Sequence, residues 1–148
     1  MADKRDYKKE YRDLYQPGKR PSLVDVPPIP MFLVDGAGDP SGAAYQAAMS
    51  ALYTVTFTLK MSRLGPWQPE GYFDYVLPPL EGFWWQDDMD GVDYSNKLSF
   101  NWISVIRLPD FITKKDFDWA VDTASKKKKM DCSSAEFLSI EEGLCVQI

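Results

Sequence analysis

One carboxylate, Glu81, lies inside an aromatic and apolar segment, residues 75–85, which reads Tyr-Val-Leu-Pro-Pro-Leu-Glu-Gly-Phe-Trp-Trp. A carboxyl group held among apolar side chains has a raised pKa, and it can then serve as a general acid or base. The flat rings beside it can stack on a planar or cationic ligand. The segment therefore predicts one wall of a ligand pocket. Two other roles stay open for Glu81: an ion pair with Arg107, or a charge exposed at a turn.

The candidate ligand-binding residues are this acid and the large aromatic side chains that strands or a helix can bring near it. They are Tyr53, Tyr75, Glu81, Phe83, Trp84, Trp85 and Trp102. Glu81 is also the candidate catalytic residue. Packing in an ordinary hydrophobic core is the alternative interpretation for each of the aromatic residues.

The same segment predicts a strand that is interrupted in the middle. Pro78 and Pro79 cannot donate hydrogen bonds to a neighbouring strand, so they separate a first part at 75–77 from a second part at 80–85. Side chains alternate between the two faces of a strand. This alternation puts Glu81, Phe83 and Trp85 on one face and Leu80 and Trp84 on the other.

The residues that are absent or rare exclude several kinds of site. The 148 residues include no histidine and only two cysteines, which excludes a Ser-His-Asp triad, a zinc site that needs imidazole and a disulfide framework. The acidic segment 86–97 resembles a calcium loop but has Gln86 and Lys97 where carboxylates are required. The glycines of 36–42 fit no phosphate-binding spacing. We therefore expect no metal and no cofactor.

The charge and hydropathy of the chain limit its partners. The formal net charge is −5 and the isoelectric point is near 4.7, which argues against direct nucleic-acid binding. We interpret Lys126–Lys129 as a solvated helix end. No apolar run is long enough to span a membrane, and the N-terminus is too polar for a signal peptide. We therefore expect a cytoplasmic protein whose partner is a hydrophobic or planar small molecule.

The periodicity of apolar residues predicts an α+β fold with an antiparallel sheet. The predicted helices cover 3–15, where a stripe of tyrosines docks the helix, then 43–63, and a segment that begins at Thr113. Thr113 and Asp116 form a capping box. Extended segments are predicted at 22–36, 98–107 and 136–148. The last of these is apolar with no further element to pair with, so we expect either a homodimer through this C-terminal strand or poor solubility.

Five motifs, taken together, resemble the GyrI-like small-molecule-binding family, which is related to AraC-type effector-binding domains. The matching segments are Val24–Pro28, Phe32–Pro40, Pro79–Trp85, Ile106–Phe111 and Glu141–Ile148. The resemblance extends over almost the whole chain, and the motifs stand in the order typical of the family. It implies two strand-helix-strand-strand modules with ligand bound in the cleft between them.

The resemblance also implies a division of the chain. Residues 1–30 form an N-terminal helix and extended lead-in, and residues 31–148 form the GyrI-like domain. Within that domain lie a first module at 31–112, a linking helix at 113–130, and the first strand of a truncated second module at 136–148. Members of the family continue for about fifty more residues, by the usual size of such elements. Their characteristic glutamate lies there, so we expect a fragment, or a partner chain that supplies the missing half.

Three functions follow from the resemblance. The first is binding of a xenobiotic or natural product in an aromatic-lined cleft. The second is a hydrolase that opens the cyclopropane ring of DNA-alkylating natural products and thereby protects a bacterial cell. The third is an effector-binding regulatory domain, although no DNA-binding helix-turn-helix precedes residue 30.

Overall fold

The computed structural model describes residues 3–148, and the first two residues of the predicted 1–30 segment lie outside it. The protein has the predicted α+β fold with antiparallel strands. The helices are α1 (Tyr7–Glu10), α2 (Arg12–Tyr15), α3 (Ala43–Lys60) and α4 (Lys114–Lys128). The strands are β1 (Ser22–Val26), β2 (Ile29–Ala37), β3 (Leu80–Gln86), β4 (Phe100–Arg107), β5 (Glu136–Ile140) and β6 (Gly143–Gln147). Short 3-10 helices cover Met61–Leu64 and Lys97–Ser99.

A four-stranded antiparallel sheet, in the order β3-β4-β2-β5, organises the fold. Strands β1 and β6 form a separate antiparallel pair, which we call the ribbon; it joins Ser22 to Gln147 and Val26 to Gly143. The Pro27-Pro28 break between β1 and β2 moves the chain from the ribbon to the sheet, because proline cannot continue a ladder of hydrogen bonds.

Helices α3 and α4 cover one face of the sheet, here called the helix face, and the main core lies there. Phe32, Val34, Trp102 and Ile106 of the sheet pack against apolar side chains of both helices. Three threonines lie within α3, although β-branched residues have weak helix propensity. Each donates its hydroxyl to the carbonyl four residues earlier, at 2.6–2.7 Å. Burial of Val55 and Leu59 on the sheet further offsets the weak propensity.

The other face of the sheet, here called the open face, has a smaller core and no long helix. Ile29, Met31, Leu33 and Val105 form this core, and Leu14 of α2 and Val26 of β1 pack against it. The N-terminal segment and the ribbon therefore cover part of the open face. Residues 3–148 include no helix with the length and apolarity needed to cross a membrane.

Most predicted elements agree with the structure, and three differ. The helix at 3–15 is divided at Tyr11 into two single turns, because Tyr11 has φ −116° and ψ 59°. Tyr75–Leu77 is not a strand, since Tyr75 forms only an isolated bridge with Arg5. The segment 136–148 is two strands, which turn at Gly143 with φ +67°. Both find partners within the chain, β5 on β2 and β6 on β1.

The ends of α4 follow the prediction closely. Thr113 accepts from the backbone N–H of Asp116, and the Asp116 carboxylate accepts from the N–H of Thr113 at 2.8 Å. This is the predicted capping box. Lys126–Lys128 occupy the last turn, where cations stabilise the negative end of the helix dipole.

Candidate functional site

Strand β3 places Glu81 on the open face, opposite Val105 of β4. The side chain is half-buried, and its Oε2 atom is fully buried with no hydrogen-bond partner among the described residues. Burial raises the pKa of Glu81, the nearby charge of Glu142 raises it further, and Arg107 partly opposes both effects. A buried polar atom without a partner is costly, so such atoms often mark a functional site.

Glu81 faces a small chamber of about 50 Å³ between the sheet and the segments that cover it. Its walls come from α2 (Leu14 and Tyr15), from the ribbon (Val24, Val26 and Gln147) and from the sheet. The Gln147 amide donates to the Leu14 carbonyl at 2.9 Å and so ties the ribbon to α2. A chamber of this size has room for water but not for an organic ligand. Ligand access to Glu81 therefore requires these segments to move.

Arg107 of β4 is the buried cation of the open face, with only 5% of its surface exposed. Its guanidinium carbon lies 4.6 Å from the centre of the Tyr7 ring and 4.4 Å from that of Tyr11. Its Nε and Nη1 atoms have no hydrogen-bond partner among residues 3–148. Cation–π contacts thus hold the N-terminal segment on the sheet, while two donor groups remain available to an acceptor.

Tyr15 completes the polar group around the chamber. Burial raises the pKa of its hydroxyl, Arg107 lowers it, and the carboxylate of Glu81 raises it. Tyr15 therefore stays protonated at neutral pH and can donate a hydrogen bond. An acid with a raised pKa and a phenol line one small space, and Arg107 lies near enough to lower the pKa of both groups. Together they can donate a proton, accept one, or stabilise a developing negative charge.

The aromatic part of the open face continues from this group along β3. Phe83 packs against the small core of Leu33 and Val105, and Trp85 is 41% exposed. Leu138 on β5 is also exposed, at the other edge of the sheet. The open face therefore has exposed apolar surface on the same side of the sheet as the half-buried Glu81. The predicted alternation of β3 is confirmed, because Leu80 packs in the core of the helix face.

The remaining candidate residues lie apart from Glu81. Trp84 lies on the helix face, with its ring centre 5.5 Å from that of Tyr45 of α3. Trp102 is buried in the main core. Tyr75 is buried beside Lys60 and Phe111, and burial raises the pKa of its hydroxyl. Tyr53 is half-buried on α3, beside Lys127 and Lys128. The structure thus brings together Glu81, Phe83 and Trp85 of the seven candidates.

The sequence interpretation did not identify Tyr15, Glu142 or the two-ring contact of Arg107 as parts of the site. A tyrosine stripe predicts docking but does not say which face of which sheet receives it. Arg107 is the only charged residue in β4, which is mainly apolar, and a charge in such a strand was the available signal for this contact. Residues 3–148 hold no cluster of three or more histidine, cysteine or carboxylate side chains that could bind a metal ion.

Three solved structures from Listeria innocua are similar to this chain. An uncharacterized conserved protein is 42% identical, with a TM-score of 0.90, and the match covers 97% of this chain and 70% of that one. The chain belongs to the family of this Listeria protein. A protein described as a hydrolase is 41% identical with a TM-score of 0.91, covering 97% and 70% of the two chains.

A further Listeria innocua protein described as a hydrolase is 42% identical, with a TM-score of 0.87, and the match covers 97% of this chain and 68% of that one. No family model matches the sequence, and no curated protein matches it. The family is thus one whose α+β fold is established, and two of these three structures are described as hydrolases.

Proposed function

We propose that the open face binds hydrophobic or planar small molecules, as the resemblance to the GyrI-like family implies. The observation that carries the proposal is the buried, unpartnered Oε2 of Glu81, four residues from the exposed ring of Trp85 on the same face of β3. Ligand sites combine apolar surface with a few convergent polar groups. Tyr15 and Arg107 supply the other polar groups in this arrangement.

The boundaries of the proposed domain follow the same resemblance. The first module would cover 31–112, the linking helix 113–130 and the first strand of the second module 136–148. The proposal includes a cytoplasmic location and association of two chains through the C-terminal segment 136–148, whose strand β5 forms one edge of the four-stranded sheet. Light scattering tests the association, and a monodisperse monomer at all concentrations would contradict it.

The binding proposal is tested by nuclear magnetic resonance, with acridine as a planar and apolar probe. The chain has five tryptophans, and replacing each in turn assigns its indole N–H signal, so that each ring can report on its own surroundings. We expect the Trp85 signal to shift on titration, and we expect Trp85→Ala to weaken binding about five-fold or more, since stacking on one ring contributes this much. Leu23→Ala, an exposed ribbon position, is the matched control. An unchanged Trp85 signal would contradict the proposal.

Hydrolysis is the second candidate function, because two similar Listeria innocua structures are described as hydrolases. In such a reaction, water adds across one C–C bond of a cyclopropane. The oxygen bonds to one carbon, and the other carbon takes the electron pair and a proton. Glu81 would move that proton, and the strain of the ring would favour opening.

The hydrolase proposal is tested by incubating the chain with a cyclopropane-bearing DNA-alkylating natural product and analysing the products by mass spectrometry. The expected product is the compound plus one water, and Glu81→Gln should remove its formation. A Glu70→Gln variant, which changes an exposed acid that does not line the chamber, is the control. Binding without any ring-opened product would leave small-molecule binding as the function and contradict hydrolysis.

A further inference from the structure

A second cavity lies on the helix face, at the edge of the sheet away from β5. It has a volume of about 530 Å³, within the range of small-molecule pockets. The lining includes Trp84, Tyr94, Lys97, Phe100 and the turn at 39–41. None of the groups around Glu81 lines it. This cavity is therefore separate from the proposed site on the open face, and an argument for it stands independently.

The walls of the cavity are aromatic. Trp84 is 37% exposed, and its ring centre lies 6.0 Å from that of Phe100 in an edge-to-face arrangement. Tyr94 is 78% exposed, with its ring centre 6.4 Å from Phe100. Exposed aromatic rings grouped around a concavity are uncommon on a protein surface and are typical of ligand sites.

The loop that carries Tyr94 and Lys97 is held in place by one buried side chain, Gln86. Its amide nitrogen shares its two hydrogens among the carbonyls of Asp93 and Asn96 and the Ser99 hydroxyl, which lie 2.8–3.0 Å away. Its amide oxygen accepts from the Asp93 N–H at 2.6 Å. Gln86 is 4% exposed, so water does not compete for these bonds. The loop wall is therefore fixed before any ligand arrives.

Two features near the cavity, Lys97 and the start of α3, favour an anion, and one carboxylate opposes it. Lys97 forms no ion pair with any of residues 3–148. Helix α3 begins at Ala43, just after the turn 39–41, with no side-chain cap and no acidic residue in its first turn, so its positive dipole end is not neutralised by its own side chains. Asp39 opposes an anion: its Oδ1 accepts from the backbone and the hydroxyl of Ser41 at 2.8 and 2.7 Å, and these bonds and the nearby charge of Lys97 lower its pKa.

We propose that this cavity is a second binding site, specific for a planar aromatic molecule that carries an acidic group. The aromatic part stacks on Trp84 and Tyr94. The acidic group lies toward Lys97 and the start of α3. The site needs no movement of the N-terminal segment or the ribbon, in contrast to the chamber beside Glu81.

The test uses two probes that share one ring system. They are 1-anilinonaphthalene-8-sulfonate, which is anionic, and N-phenyl-1-naphthylamine, which lacks the sulfonate. Each is titrated into the full chain while the indole N–H signals are followed. We expect the sulfonate probe to shift the Trp84 signal with a dissociation constant about three- to five-fold lower than that of the neutral probe, as one exposed ion pair allows.

Two variants separate the aromatic and charge contributions. Tyr94→Ala, at a position whose exposure makes a folding defect unexpected, should weaken both probes about ten-fold. Lys97→Met should weaken the sulfonate probe about three- to five-fold and leave the neutral probe unchanged. Lys115→Met, an exposed lysine on α4, is the matched control and should change neither.

Three outcomes would overturn the proposal. The first is a shift of the Trp85 signal with none at Trp84, because it places the probes on the open face. The second is equal affinity for both probes together with no effect of Lys97→Met, which removes the acidic specificity. The third is unchanged affinity in Tyr94→Ala. Circular dichroism of each variant confirms that the fold is intact before its affinity is interpreted.

Discussion

The two faces of strand β3 differ in how their polar groups are satisfied. On the helix face, Gln86 is buried and makes four hydrogen bonds. On the open face, Glu81 and Arg107 are also largely buried, yet Oε2, Nε and Nη1 have no partner among the described residues. A fold tolerates few such atoms. The helix face also has two such atoms, Trp102 Nε1 and Ser104 Oγ, but both belong to neutral groups. The open face differs because its unpartnered atoms belong to a carboxyl group and a guanidinium, which a ligand or a further protein segment can complete.

The largest effect should come from the core of the helix face. Trp102→Ala removes a side chain that is 2% exposed and leaves a cavity, which should lower the free energy of unfolding by about 3–5 kcal/mol. Chemical denaturation measures it. The control is Trp85→Ala on the open face, for which we expect a loss of at most about 1 kcal/mol. Equal losses would contradict the difference between the two faces.

The second effect concerns the buried amide of the helix face. Gln86→Met keeps the size of the side chain but removes all four hydrogen bonds, so we expect a loss of about 1–3 kcal/mol and faster hydrogen exchange in residues 93–99. Gln68→Met, at an exposed glutamine, serves as the control and should be almost neutral. Unchanged exchange in 93–99 would show that Gln86 does not hold this loop.

The third effect tests the cover of the open face. Arg107→Met removes the cation from the Tyr7 and Tyr11 rings, but it also removes two unpartnered donors. These effects oppose each other, so the loss of stability should be only about 1 kcal/mol. Hydrogen exchange in residues 7–15 should nevertheless increase, while α3 stays protected. Lys114→Met, an exposed lysine near the Phe117 ring, is the control, and no change in 7–15 would argue against the contact.

The smallest effect is a change with pH in the contribution of Glu81 to the free energy of unfolding. The pKa of Glu81 is higher in the folded protein than in the unfolded chain, so the folded state binds more protons between the two pKa values. The contribution of Glu81 to stability is therefore full at low pH and is lost as the pH rises through this window. An ordinary carboxyl group titrates at about pH 4. The free energy of unfolding of Glu81→Gln should therefore match that of the wild type at about pH 4 and exceed it at about pH 7. An equal difference in the free energy of unfolding between variant and wild type at both pH values would contradict a raised pKa of Glu81.

The strands and helices that pack on the sheet were predictable because each has a periodic pattern or a local signal. Alternation identified β3 and β4, the Pro27-Pro28 break separated β1 from β2, and the capping box at Thr113 fixed the start of α4. The Tyr75–Leu77 prediction failed because apolar residues beside prolines also suit a buried irregular segment. Glu141-Glu142-Gly143 carried a turn signal that the apolar residues around it obscured.

The site was only partly predictable, for a reason that lies in its contacts. Glu81 and its neighbours on the open face share one strand, so alternation groups them. Arg107, Tyr7 and Tyr11 come from distant parts of the chain, and a cation–π contact leaves no pattern in the sequence. Trp84 was grouped with Trp85 as an adjacent indole, although alternation itself assigns the two rings to opposite faces.

The ribbon has a consequence for the order in which the molecule folds and opens. It pairs Ser22–Val26 with Gly143–Gln147, residues separated by almost the whole chain, and it has only two strands. The pairing of β2 with β5 already brings Ile29 beside Ile140, so the ribbon forms most readily after this part of the sheet is in place. An isolated pair of strands has little stability of its own. We therefore expect the ribbon to form last and to detach first. Its detachment would be the rate-controlling step that admits solvent to Glu81, while the sheet behind it stays folded.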